Sequence, residues 1–106
     1  MTSLRGPFPD SGQHLNVQVR RKVHIKNPRG LHARPCHALV SAALGYQASL
    51  KIACAGREVE GKSILSLMTL EAPCGTELEL VADGPDAARL VDHLAALVDG
   101  GFDERS

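Results

Sequence analysis

The stretch with the most chemical content is Gly30-Leu31-His32-Ala33-Arg34-Pro35. Its histidine stands where a helix should begin, and Pro35 is tolerated inside a first turn because that amide would go unpaired anyway. A helix N-terminus offers free backbone N–H groups and about half a positive charge. An anion attached to the His32 ring would therefore lie against the amides of Ala33 and Arg34, with the Arg34 guanidinium as a charged donor. A neutral imidazole nitrogen is nucleophilic near pH 7, and the phosphoramidate it forms passes its phosphoryl group on readily. Gly30 is expected to leave room for another protein's active site to approach. On these six residues alone, the competing reading is a plain capping histidine. Leu31, just before the cap, is placed to pack on Cys36 as a hydrophobic staple.

The neighbouring groups support other chemistries less well. His32 and Cys36 share a helix face, but His37 points elsewhere, and a structural zinc wants four ligands, so no metal site is expected. Cys36 sits where thiolates are favoured, yet no carboxylate or amide is spaced to orient a histidine base. A small buried side chain is its expected role. His14, His24 and His93 have no partner at useful spacing, and Cys54 and Cys74 read as ordinary small hydrophobes. Farther along, Ser63 is placed to cap a helix through the amides of Leu65 or Ser66. A phosphoryl group on Ser63 would also suit a helix start. The short run that follows has apolar residues on nearly every side and cannot bury them all. Leu65 and Met68 are expected to form an exposed docking patch, with Ile64 divided between patch and core.

Alternation and punctuation supply the elements that must position these residues. Val23 and Ile25 alternate within Arg20 to Lys26, a strand whose pattern breaks at Arg21; Asn27-Pro28-Arg29-Gly30 then turns the chain. Ala33 to Leu44 reads as a helix stopped by Gly45. Gln47 to Cys54 alternates as a half-buried strand, Ala55-Gly56 turns, and Arg57 to Glu60 returns antiparallel with Val59 inward. Ser63 to Leu70 is the short helix, and Thr76 to Ala82 a further strand. Pro85 opens a last helix as its first residue, with Leu90, Val91, Leu94, Leu97 and Val98 as its apolar stripe. The order β-α-β-β-α-β-α with half-polar sheet faces predicts an α+β domain, an antiparallel sheet covered on one side by helices.

Composition narrows the function classes. With 106 residues, 43% of them hydrophobic, the chain suits a single ordinary globular domain. Aromatics are only 3% with no Trp, which disfavours stacking on single-stranded nucleic acid. Twelve basic and twelve acidic residues cancel, so no global field draws the chain to nucleic acid or anionic membrane. Three cysteines without a CxxC pair point away from a disulfide framework and toward a reducing cytoplasm. Nothing reads as a transmembrane run or a secretory signal, so no membrane insertion is expected. Met1 to Asn16 lacks periodicity and reads as a flexible lead-in. The expected division is an N-terminal extension over residues 1–18, a domain over 19–102 and a tail over 103–106.

Two blocks at a characteristic separation carry a family resemblance. Gly30-Leu31-His32-Ala33-Arg34-Pro35 resembles the active-site motif of HPr, the histidine-containing phosphocarrier of the bacterial sugar phosphotransferase system. Gly61-Lys62-Ser63-Ile64-Leu65-Ser66-Leu67-Met68-Thr69-Leu70 resembles that family's regulatory-serine segment. The likeness runs from about Val19 to Phe102. It implies an open-faced β-sandwich, a four-stranded antiparallel sheet backed by three helices. It implies that His32 is the phosphorylated histidine and that Arg34 neutralises the phosphoryl group. Enzyme I would be the donor and an enzyme IIA domain the acceptor, with HPr kinase/phosphorylase as the enzyme that would modify Ser63. The chain would then be a relay carrier in place of a stand-alone enzyme, monomeric and needing no cofactor. Gly101-Phe102-Asp103-Glu104 resembles the ending of nitrogen-branch relatives (NPr), which serve a regulatory phosphorelay. Cys36 stands where alanine is usual, and the first helix carries no Lys or Arg beyond Arg34, departures that bear on partner choice. The alternative reading is a regulatory interaction module that binds partners through the Ile64–Met68 patch without obligatory phosphotransfer.

Overall fold

A computed structural model describes residues 17–104, so the lead-in read over Met1 to Asn16 lies outside the described residues, as do the last two of the tail. The element order is β1 (Gln18–His24), α1 (Ala33–Ala43), β2 (Ser49–Cys54), β3 (Arg57–Glu60), α2 (Ile64–Met68), β4 (Glu77–Asp83) and α3 (Ala87–Asp99). A 3-10 turn over Gly101–Asp103 follows. The four strands form one antiparallel sheet in the order β1-β4-β2-β3. This is the α+β arrangement that the alternation of the strands predicts, and the open-faced sandwich that the family resemblance implies.

Register explains which side the helices cover. Val23 pairs with Leu78, while Ile52 and Leu50 pair with Leu80 and Ala82, so one sheet face is continuous and apolar. All six are buried, and with Leu39 of α1, Leu67 of α2 and Leu90, Leu94 and Val98 of α3 they make the core. Each such aliphatic side chain contributes roughly 1.5–3 kcal/mol on leaving water. The opposite face carries Arg20, Lys51 and Glu79, with Val81 covered between its paired neighbours Arg20 and Lys51.

Local boundaries differ from the sequence expectation where side chains find unforeseen partners. Strand β1 starts two residues earlier than the alternation suggests. Its break at Arg21 has a cause, since the guanidinium reaches Asp92 of α3 at 3.0 Å. Pro85 lies outside α3, whose N-cap is Asp86. The Asp86 carboxylate does not cap its own helix but accepts the amides of Gln47 at 2.9 Å and Ala48 at 2.8 Å, tying the α1–β2 connection to the start of α3. Those amides hold the carboxyl below the usual carboxylate range, Gln47 foremost, against a smaller opposing effect of desolvation.

Candidate functional site

His32 is the N-cap of α1, in extended backbone (φ −94°, ψ −170°), and its side chain makes no capping bond to the helix. Its carbonyl accepts from Cys36, the first intrahelical bond, at 3.1 Å. Pro35 has no N–H to offer, and the amides of Ala33 and Arg34 meet no acceptor among the described residues. Two unpaired amides thus stand at the start of α1, and Ala33 and Arg34 are both exposed. Arg34 makes no ion pair within 4.0 Å among the described residues, so its guanidinium stands open to solvent.

The loop before the helix is built tightly. Asn27 is 1% exposed and its amide nitrogen donates to the Gly30 carbonyl at 2.7 Å, while the Gly30 amide donates to the Asn27 carbonyl at 3.1 Å. Gly30 itself is buried at φ +71°, and a Cβ there would stand 2.5 Å from the Ala72 carbonyl oxygen. The expectation that Gly30 clears a path for a partner is thereby corrected. The close approach it permits is to Ala72 and Pro73 of its own chain.

Glu104 is the site residue that sequence reasoning missed. Its Oε2 lies 2.8 Å from His32 Nε2, and its Oε1 accepts from Asn27 Nδ2 at 2.9 Å. Partial desolvation pushes the Glu104 carboxyl up. The Asn27 hydrogen bond, the charge and hydrogen bond of His32 and the charge of Arg34 outweigh it, leaving the group below the usual carboxylate range. An ionised carboxylate only accepts, so the proton between them belongs to Nε2. In the neutral tautomer that donates from Nε2, the lone pair available for attack lies on Nδ1. The Gly-Phe-Asp-Glu ending was legible as a family likeness, but a bond spanning 72 residues leaves no local signal.

The other candidate residues separate cleanly. Leu31 and Cys36 are both buried in the core cluster, and the Cys36 thiol donates to the Leu31 carbonyl at 3.9 Å. Burial pushes that thiol up to about 11, the opposite of an activated nucleophile. His37 is exposed. His93 and His24 do have partners: the Tyr46 hydroxyl lies 2.9 Å from His93 Nδ1, and Glu77 lies 3.5 Å from His24 Nε2. Of the two cysteines read as ordinary small hydrophobes, Cys54 packs at the core's margin, whereas Cys74 is exposed.

Ser63 caps α2, its Oγ accepting from the Ser66 amide at 3.2 Å. Helix α2 packs on α1, turning Leu67 fully inward. Leu65 is 79% exposed and Met68 40%, while Ile64 packs partly on the core, the division expected for a patch.

Comparison with known proteins agrees with this geometry. The family model described as the PTS HPr component phosphorylation site matches residues 19–99. The chain is 35% identical over 86 residues to the phosphocarrier protein HPr of Treponema pallidum, covering 81% of this chain and 98% of that one. It is 36% identical over 90 residues to the phosphocarrier protein NPr of Shewanella violacea, covering 85% and 99% respectively. Among solved structures, HPr of Thermoanaerobacter tengcongensis superposes with a TM-score of 0.79 at 30% identity, over 83% of this chain and 99% of the other. HPr of Bacillus anthracis gives 0.73 at 32% identity, over 76% and 96%. A partly exposed histidine at the N-cap of a helix, two amides and an arginine unpaired among the described residues, and a fold shared over nearly the whole of each relative lead to one assignment: the chain belongs to the HPr family of phosphotransferase-system phosphocarriers.

Proposed function

We propose that the chain takes a phosphoryl group onto His32 Nδ1 from enzyme I and passes it to an enzyme IIA domain. The observation that carries this is the pairing of His32 Nε2 with Glu104, which commits one ring nitrogen and leaves the other as nucleophile beside the open amides of Ala33 and Arg34. In uptake the Nδ1 lone pair attacks phosphorus, the N–P bond of the donor's phosphohistidine breaks, and its electron pair returns to the donor ring. Arg34 and the two amides hold the phosphoryl oxygens. They act as exposed groups, so the product is supported without being trapped. The reverse sense delivers the group to the acceptor.

Family membership makes the other proteins of the phosphotransferase system its partners in general. The exposed Leu65 and Met68, with the edge of Ile64, form the surface proposed to seat enzyme I and the IIA domain in turn. Ser63 acts first as a helix cap. A kinase of the HPr kinase/phosphorylase type would place two negative charges on the same helix start, beside that docking surface. Relatives of both the HPr and NPr kinds resemble the chain at similar identity, so sugar and nitrogen branches share the proposal. No helix of the described residues is long and apolar enough to cross a membrane, and the cysteine usage supports a cytoplasmic site of action.

The test is intact-mass measurement after incubation with enzyme I, magnesium and phosphoenolpyruvate. One acid-labile phosphoryl group should appear on the wild-type chain and none on His32→Ala. Persistence of the modification in His32→Ala would move the acceptor to another residue. A protein that never gains mass from a donor of its own organism would leave only the interaction-module reading.

A further inference from the structure

We propose that Glu104, held by Asn27, keeps the proton on His32 Nε2 after Nδ1 has taken up the phosphoryl group, and so sets the pH range over which the phosphohistidine is labile. The inference rests on His32 being the acceptor. It adds a positioning residue that acts through the histidine without touching the phosphoryl group.

The geometry is that of a fixed carboxylate. One Glu104 oxygen meets Nε2 at 2.8 Å and the other is tethered at 2.9 Å by the amide of the buried Asn27. That same amide nitrogen also fixes the Gly30 carbonyl, so the carboxylate and the loop carrying His32 share one anchor. The chain bends unusually to bring Glu104 there. Gly101, Phe102 and Asp103 all take left-handed conformations (φ 65°, 56° and 62°), two of them with side chains that disfavour it. Such strain persists where surrounding contacts over-determine it. Here Phe102 packs against the core and Glu104 closes on His32 and Asn27.

The chemistry follows from the electron count. The ring that attacks phosphorus is the neutral tautomer, with its proton on Nε2 facing Glu104. Once the Nδ1 lone pair is spent on the N–P bond, a ring that keeps this proton is a cation, and one that loses it is neutral. A phosphoryl group leaving the cationic ring returns its electron pair to Nδ1 and frees neutral imidazole, a good leaving group. From the deprotonated ring the leaving group would be imidazolate, a poor one. An anion at Nε2 favours the cation and hence the transferable form. The charged groups acting on Glu104 are His32 and Arg34. The Ala72–Pro73 segment packed on Gly30 adds none, and the neighbouring Asp103 is exposed.

The experiment loads the full chain from phosphoramidate, a small donor that needs no docking surface, and follows loss of phosphohistidine by 31P NMR across pH. In Glu104→Gln the inflection marking loss of the Nε2 proton should fall by about one pH unit. Above that inflection, transfer to water should slow up to about tenfold relative to wild type. Asn27→Ala should shift it in the same direction by less. A tail clamp without a protonation role predicts coincident profiles for wild type and Glu104→Gln, and that result overturns the proposal. If the wild-type chain accepts no phosphoryl group from phosphoramidate or from enzyme I, the carrier reading itself fails, and this inference with it.

Discussion

The Leu31 amide donates to the Ala72 carbonyl at 2.8 Å, pinning the backbone just before the site histidine to the segment that leaves α2. The contact is possible because residue 30 has no side chain. Any Cβ at Gly30 would meet the same Ala72 oxygen at 2.5 Å, at a left-handed φ of +71°. Gly30→Ala should therefore lose at least about 2 kcal/mol of stability, from backbone strain and steric displacement together. Urea denaturation checks this; a loss under about 0.5 kcal/mol, the level of an ordinary surface change, would contradict it. Transfer rates should fall as well, because the same displacement moves His32.

Arg34 offers a second measurement. Free of ion pairs among the described residues, it has no structural bond to lose, so Arg34→Ala should leave the melting temperature nearly unchanged. Phosphoryl uptake from enzyme I should slow about ten- to a hundredfold, the worth of one charge-assisted hydrogen bond of roughly 1.5–3 kcal/mol. Arg34→Lys should recover part of the rate, since it restores charge but not the planar fork. Equal rates in all three proteins would remove Arg34 from the site.

How far the sequence reveals this molecule depends on the range of each interaction. Alternation placed Leu50, Ile52, Leu78 and Leu80 on one face because burial has a period of two along a strand. Helix α1 was recognisable from its cap, its Ala- and Leu-rich composition and Gly45, all local signals. Family likeness supplied the roles of His32 and Arg34. Glu104, by contrast, reaches His32 only after α3 ends and three residues reverse the chain, a path no periodicity encodes. Asn27 looked like a turn residue because its tethering of Glu104 is likewise non-local. Pro85 was misplaced into α3 because Asp86 spends its carboxylate on Gln47 and Ala48, a tertiary choice.

That choice gives a pH dependence whose sign can be worked out. The Asp86 carboxyl is held below its ordinary value by the amides of Gln47 and Ala48, opposed in part by desolvation. A depressed folded-state pKa contributes stability that is fully present above the unfolded value, about pH 4. It is lost as the pH falls through the folded value. Asp86→Asn should accordingly lower the melting temperature at pH 7, and the gap from wild type should narrow on acidification below about pH 4. A gap that stays constant from pH 7 to pH 2 would assign the carboxylate no such role.

Ser63 can be tested as a cap separately from any modification. Its Oγ accepts the Ser66 amide, so Ser63→Ala should cost about 1 kcal/mol in chemical denaturation. Ser63→Asp should restore most of that loss, because a carboxylate caps equally well and complements the helix start. If Ser63→Asp also slows uptake from enzyme I, negative charge beside the exposed Leu65–Met68 patch is itself inhibitory. Unchanged uptake would count against regulation through this serine.

Helix α2 separates a buried leucine from an exposed one within three residues. Leu67 is fully buried in the core, while Leu65, two positions earlier, is 79% exposed. Leu67→Ala should therefore cost about 2–5 kcal/mol, from lost transfer energy and the cavity left behind. Leu65→Glu removes no core contact and should stay within about 0.5 kcal/mol of wild type. Its effect should fall on association instead: slower phosphoryl uptake from enzyme I at limiting carrier concentration, with the maximal rate recovered at high concentration. Uptake from phosphoramidate, which needs no protein surface, should be unaltered. A Leu65→Glu chain as competent with enzyme I as wild type would leave the exposed leucine without a role in docking, and Met68→Glu would then report on the rest of the patch.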